Sequence, residues 1–519
     1  QLGDVRLVGG RVAYSDARTG VPHVIDDINM SVSLPSLTSP MAAKGSLVWN
    51  KEKIALLLGL SNPNAFLAGK KTDINTRIEA APVKFTFKGS AAQAGKIKAD
   101  GDLDLDVPSI RKLASWVGAK LDAPGSGYGP LKIAGKVDVN GNRYAFRDAK
   151  LSVDAITGAG EVAFDGGGRK PVITGKLTLG MLDVNPYLPP EGKAATPQAT
   201  PKPVGGTARG GKSPGASDWS DDSIDLSGLR AADAQFDLSV AGILVRKIKI
   251  GAANLKLSLK DGVLVTDLTR MALYGGTGKA RLMANGAARI SQISLNFDLA
   301  NFQARPFMGD AMDFDRIEGA ANADMSITTR GRSQRDLVSA LGGAGKVKFL
   351  NGAIRGINLA AMARNVASAF LDSSASETQK TDFAELGGTF SITRGVLTNN
   401  DLLLKSPLLR LMGKGKIDLP KRTLNYRFEP KVVASISGQG GEADVRGVTV
   451  PVLVDGPWDD ISFAPDLAGM IGNVAKDPVK AIGSLKNLVP GLSDDSKSSS
   501  SPQPKLPDPG DALKKLFGR

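Results

Sequence analysis

A chain of 519 residues with no cysteine excludes disulfides and thiolate metal centres, and its single histidine, His23, leaves no basis for histidine catalysis or multi-histidine metal binding. With 61 glycines, 42% hydrophobic residues and 5% aromatic ones, it suits many short strands and tight turns better than a few aromatic-centred cores. The net charge of +14 does not point to nucleic acid: lysines and arginines alternate with apolar residues and aspartates, stacking aromatics are scarce, and anionic lipid headgroups suit the same balance.

The chain opens inside a strand-like pattern, QLGDVRLVGGRVAYSD, and Leu7 to Leu34 reads as hairpins turning at Asp16–Gly20 and at Asp26-Asp27. Leu47 to Leu60 reads as one strand, and Asn62-Pro63 caps a short helix through Phe66 and Leu67. Val83 to Phe87 alternates. The clearest two-faced strand is Lys96 to Val107: Ile97, Ala99, Leu103, Leu105 and Val107 point one way, and Lys98, Asp100, Asp102, Asp104 and Asp106 the other. The three aspartates from Asp102 to Asp106 stand about 6.6 Å apart in an extended strand, without converging partners, so they form a solvated face and not a calcium or acid–base cluster. Pro108 to Val117 is a short helix with Ile110, Leu113, Trp116 and Val117 on one stripe, a plug against the sheet. Strands return from Leu131 to Leu179, with turns at Asn140-Gly141 and Asp165-Gly166, and Met181 to Leu188 reads as a small helix.

From Pro189 to Ser217 the chain cannot bury apolar area and reads as a disordered linker. It holds two decoys. GTARGGKS, Gly206 to Ser213, fits a phosphate loop, but proline on both sides denies it the required strand and helix. GKSPG, Gly211 to Gly215, fits a nucleophile elbow, but it lacks the strand–turn–helix and has only His23 as a base.

The second β region opens near Ile224. Asn254 to Lys260 alternates, with Leu255, Leu257 and Leu259 on one face, and turns at Asp261-Gly262. Four strands carry a G-x-G: Gly158–Gly160, Gly276–Gly278, Gly343–Gly345 and Gly413–Gly415. Strands follow them, not helices, so they read as kinks of a strongly curved sheet and not as dinucleotide fingerprints. Phe302 to Phe307 and Ser333 to Leu341 are short helices. Gly342 onward gives Val347 and Phe349, a hairpin at Asn351-Gly352, Ile354 and Ile357, and a helix through AAMARNVASAF. Phe383 to Leu419, containing Leu403, turns at Arg394-Gly395. After Trp458, Pro465-Asp466 starts a helix reaching about Leu488; the tail from Ser493 is disordered by composition and ends in a basic amphipathic segment, ALKKLFGR.

The expected fold is mainly β: an elongated, strongly curved antiparallel sheet of repeated hairpins forming an open hydrophobic groove, with a few short helices and a C-terminal helix. Its parts are a groove segment at 1–188, a linker at 189–222, a second groove region at 223–464, a helix at 465–492 and a tail at 493–519. The groove-lining residues are Ile97, Leu103, Leu105, Val107, Leu255, Leu257, Leu259, Val347, Phe349 and Leu403. No catalytic residue, metal site or cofactor is expected, and with no nucleotide site any driving force must come from a partner or a gradient.

GKVKFLNGAIRGINLAAM, with FAELGGTFSITRGVLTNNDLLLKSPLLRLMGKGKIDLPKRTLNYRFEP after it and GVTVPVLVDGPWDDISFAPDL later, resembles the C-terminal region of the AsmA family of bacterial envelope proteins. The opening GRVAYSDARTGVPHVIDDINMSVSLPSL is similar to the middle of alphaproteobacterial members, so the resemblance spans nearly the whole chain outside linker and tail. None of these motifs is catalytic. The resemblance implies a periplasmic body in a Gram-negative bacterium, held to the inner membrane by an N-terminal anchor preceding these residues, and a β-groove passing phospholipid between inner and outer membranes. It also implies an alternative, assembly of outer-membrane proteins.

Overall fold

The computed structural model describes residues 3–15, 22–119, 121, 123, 125–188, 219–356, 380–407, 409–432, 451–458 and 460–466. Among the described residues the fold is mostly β, with 67% of them in strands and few helices. It divides into two compact units, Gln1–Gly206 with Ser227–Met271, and Thr207–Leu226 with Ala272–Arg519.

The first unit holds strands β1 (Asp4–Ser15), β2 (Pro22–Ser33), β3 (Met41–Trp49), β4 (Glu52–Leu60), β5 (Thr72–Ala80), β6 (Val83–Ala94), β7 (Lys96–Val107), β8 (Leu131–Asn140), β9 (Arg143–Val153), β10 (Ile156–Asp165), β11 (Val172–Asp183), β12 (Asp233–Val245) and β13 (Ile248–Lys260). Helices α1 (Pro63–Leu67) and α2 (Ile110–Trp116) lie at strand ends, and β14 (Val263–Leu273) carries the chain onward. Each strand from β1 to β11 pairs antiparallel with the next, as a hairpin series must. The exception to the all-antiparallel expectation is β11 with β12, which run parallel. β12 starts beside the start of β11, Asp233 opposite Val172, as a parallel pair requires.

The second unit holds β15 (Gly276–Asn285), β16 (Gln292–Gln303), α3 (Ala304–Met312), β17 (Ile317–Arg330), α4 (Gln334–Ser339), β18 (Gly342–Arg355), β19 (Lys380–Thr393), β20 (Val396–Lys405), β21 (Leu409–Asp418), β22 (Thr423–Val432), β23 (Val452–Pro457) and β24 (Ser462–Pro465), paired antiparallel in chain order. Both ladders are open, curved sheets.

Bulges supply the bending. An Asp or Asn in left-handed conformation is the extra residue at several register shifts: Asp27 (φ 48°), Asp148 (φ 52°), Asn301 (φ 56°) and Asn351 (φ 47°). These residues tolerate that conformation, and an unpaired residue sharpens the local twist. The same fact corrects two expected turns: Asp26-Asp27 lies inside β2, and Asn351-Gly352 inside β18. Conversely, Leu47 to Leu60 is a hairpin and not one strand. Asn50 (φ 45°) and Lys51 (φ 68°) supply the paired positive φ of a type I′ turn without glycine.

Smaller differences follow the same logic. The expected helix at Met181–Leu188 is the end of β11 followed by a 3-10 turn at Asn185–Tyr187, and Phe302 lies inside β16, which runs to Gln303 before α3 begins. Pro465 closes β24 instead of opening a helix. Asn62 accepts from the Ala65 amide at 2.9 Å to cap α1, and Ser109 caps α2. The linker motifs, the helix expected after Ile357, the body of the C-terminal helix and the tail lie outside the described residues.

Candidate functional site

Because directly opposed residues point to the same side of a sheet, the ladder converts strand alternation into rows that cross the strands. In the first unit one row runs Leu56–Ile78–Phe85–Leu105–Ile133–Leu151–Gly158–Leu179–Val240–Ala253, from β4 to β13. Nine inter-strand steps of ~4.8 Å make it about 43 Å long. Beside it runs Leu58–Thr76–Phe87–Leu103–Gly135. From Leu56 to Leu151 the aliphatic and aromatic members of the first row are half-buried, not buried. A second layer packed on this face would seal them.

The opposite face carries Arg77–Thr86–Asp104–Ala134–Lys150 and, next to it, Lys88–Asp102–Lys136. The aspartate run of β7 is thus matched by lysines on both flanking strands, including a 3.1 Å pair between Lys132 and Asp106. Lys71 and Ser90 hydrogen-bond Asp100 and hold its carboxyl below the usual range. No cluster of three or more metal-ligating side chains exists among the described residues.

Of the expected lining residues, Leu103, Leu105 and Val107 share the apolar face of β7, with Val107 buried and Ile97 exposed at its rim end. Leu255 is buried in the row Leu177–Leu238–Leu255, and Leu257 and Leu259 continue its face half-buried. In the second unit Val347 and Phe349 share a face, and Phe349 lies in the row Phe302–Ala321–Phe349–Leu386–Leu404.

Leu403 is the correction. It pairs with Gly387, which pairs with Lys348, so it stands on the charged side of the sheet. The register shift between Asn399 and Leu402 inverts the parity of β20, and the run Leu402-Leu403-Leu404 hides that inversion. Leu403 lines a cavity of about 480 Å³ whose walls include Asp298, Asp324, Lys346, Val347, Lys348 and Glu385. Lys348 and Lys405 hydrogen-bond Glu385 and depress its pKa.

Glycines of the G-x-G strands leave room for rings of the neighbouring strand. A Cβ at Gly345 would stand 2.6 Å from Phe390 Cζ, and one at Gly415 would stand 2.5 Å from Tyr426 Cδ2. In each pair the ring covers the glycine of the neighbouring strand. Gly160 is different: at φ 145° its Cβ would meet Lys176 O at 2.1 Å, so backbone crowding alone requires glycine.

A polar bridge interrupts this second face. Asn399, 5% exposed, donates to Thr389 O at 2.7 Å and to Asp401 Oδ1 at 2.8 Å, and accepts from the Tyr426 hydroxyl at 2.5 Å. Burial, aided by Asp401, pushes the Tyr426 pKa up to about 12. Sequence reading missed this bridge because Asn399 and Asn400 look like turn residues until the register is known.

The arrangement offers an apolar surface along consecutive strands. Residues 58–402 match the AsmA family. A stretch of 87 residues is 29% identical to Protein AsmA of Escherichia coli (strain K12), covering 17% of this chain and 14% of that protein. The family match begins within β4, ends within β20 and takes in every member of the long row after Leu56. The chain belongs to the AsmA family.

Proposed function

We propose that this chain is a non-enzymatic bacterial envelope protein that carries phospholipid along an apolar β-groove between inner and outer membranes. The single observation behind the reading is the row from Leu56 to Ala253, about 43 Å of apolar side chains whose first half stays half-exposed across consecutive strands. Water-facing apolar area on that scale marks a binding surface.

The energetics favour an acyl occupant. Moving a two-tailed lipid of roughly 30 methylenes through water costs on the order of 20 kcal/mol at ~0.8 kcal/mol per methylene, and apolar contact along the row replaces most of that exposure. The lysine- and aspartate-bearing face keeps the conduit in water. Work in the periplasm is part of the proposal; no helix among the described residues is long and apolar enough to cross a membrane.

Photo-crosslinkers at Leu103, Leu257 and Val347 test it, with Leu403 as the control on the charged face. The expected result is phospholipid adducts at the first three positions and none at Leu403. Adducts to protein alone at all four would replace the conduit with a docking surface for outer-membrane proteins in transit.

A further inference from the structure

Trp219 to Leu226 forms no helix and no named strand, yet it is tied to one hairpin tip after another along a single rim of the second unit. Trp219 Nε1 donates to Leu419 O at 3.0 Å, at the β21–β22 tip. The Arg422 guanidinium of that tip lies between two rings, 5.6 Å from the centroid of Trp219 and 5.3 Å from that of Trp458. Asp221 accepts from Arg335 Nε at 2.6 Å and Nη2 at 3.0 Å, while Arg335 Nη2 also donates to Trp219 O at 3.0 Å. Ser223 pairs with Ser333 as an isolated antiparallel bridge, and the Ile224 amide donates to Arg332 O at 2.7 Å. At the far end Leu226 O sits so close to the β15–β16 tip that a Cβ on Gly286 would meet it at 2.4 Å.

Length gives these contacts a mechanical meaning. Neighbouring hairpins repeat every ~9.6 Å, so the tips from β15–β16 to β21–β22 lie about 29 Å apart measured along the curved rim, and closer across it. Seven Cα steps from Trp219 to Leu226 reach at most about 25 Å even fully extended. Pinned at both ends and in its middle, a segment of that reach has little slack to give. Beneath it the tips are themselves chained, Gly395 N to Leu341 O at 2.8 Å and Leu419 N to Gly395 O at 3.0 Å.

We propose that residues 219–226 act as a taut strap that limits how far the hairpin tips of the second unit spread. If this unit also carries lipid, as the reading above has it, the strap sets how wide its apolar face opens at that rim; this extension rests on that reading and the restraint itself does not.

The absence of cysteine allows a clean test, because Ser223→Cys with Ser333→Cys introduces one disulfide across an antiparallel pair whose spacing suits it. Amide hydrogen exchange on the full chain is the readout. In Trp219→Ala/Asp221→Asn, exchange at Gly395, Leu419 and Arg335 should rise at least tenfold, while β8 to β10 stay unchanged. Adding the cysteine pair and oxidising it should restore protection, and reductant should remove it. Equal exchange in oxidised and reduced forms, or tips as protected in the strap variant as in the wild type, overturns the strap. Uptake of a fluorescent phospholipid is read in parallel: the oxidised form should load severalfold more slowly than the reduced form. Failure to load in either form counts against the lipid reading and leaves the exchange result standing.

Discussion

The two units use one strand grammar to build two different surfaces. In the first, the row from Leu56 to Leu151 is unbroken by any hydrogen-bonding side chain. The comparable row of the second, Ala280–Phe297–Met325–Gly345–Phe390–Asn399–Gly415–Tyr426–Val454, has rings laid over glycines and a hydrogen-bonded amide and phenol in its middle. Rims differ too. α2 seats on the β3–β4 tip of the first unit through Trp116, whose Nε1 donates to Trp49 O at 3.1 Å, whereas a strap laces several tips of the second. A smooth face held by local clasps and a pinned face held by a long strap differ in where the stabilising contacts lie, and each side of that contrast can be broken separately.

Truncating a side chain should separate core from open face most sharply. Leu404, 0% exposed between Leu386 and Leu411, is true core, so Leu404→Ala should cost about 2–5 kcal/mol in urea unfolding. Leu103 is half-exposed, and Leu103→Ala should cost about 1 kcal/mol because little cavity forms. Equal losses would mean that the first unit's face is sealed, and the groove would be lost as an explanation.

The polar bridge comes next. Tyr426→Phe removes the donor to Asn399 Oδ1 and leaves a buried acceptor without it, a cost of about 1–2 kcal/mol. Its pH signature is distinctive. The raised pKa means the folded chain holds the phenol proton more tightly than the unfolded one, so the contribution is whole below pH 10 and is lost as pH rises toward about 12. The Phe variant should lack that alkaline fall and the matching phenolate absorbance step.

Much of this was legible in the residues. Strict alternation from Lys96 to Val107 gave β7 its two faces, and the G-x-G runs marked crowded positions where a Cβ would meet a neighbouring strand. What stayed hidden depends on partners distant in sequence. Asn351-Gly352 satisfies the local rules for a turn, and only the pairing of β18 with β17 makes it a bulge. Asn50-Lys51 turns without glycine. Three consecutive leucines at 402–404 carry no period, so the face of Leu403 could be read only from its ladder. Trp219 sits 200 residues from the carbonyl it bonds, a separation that no local pattern reports.

The smallest effect isolates the first unit's rim. Asp154 (φ 52°) accepts from Tyr187 OH at 2.6 Å, Gly129 N at 2.8 Å and Tyr128 N at 3.0 Å. Burial alone would raise its pKa; the Tyr187 hydroxyl and the two amides outweigh it and hold the carboxyl below its ordinary value, while burial and Asp154 push Tyr187 up. A depressed carboxyl stabilises above its unfolded pKa and loses that contribution as pH falls through its folded value. Asp154→Asn should therefore cost about 1 kcal/mol at neutral pH and flatten the acid limb. The chain has four tryptophans, and they divide evenly: Trp49 and Trp116 in the first unit, Trp219 and Trp458 in the second. Replacing one pair with phenylalanine lets fluorescence follow the other unit. The Asp154→Asn change should shift the acid transition seen by Trp49 and Trp116 and leave the one seen by Trp219 and Trp458 in place. A shift in both would mean that the clasp of one unit supports the other, and the contrast between locally clasped and strapped sheets would have to give way to a single cooperative ladder.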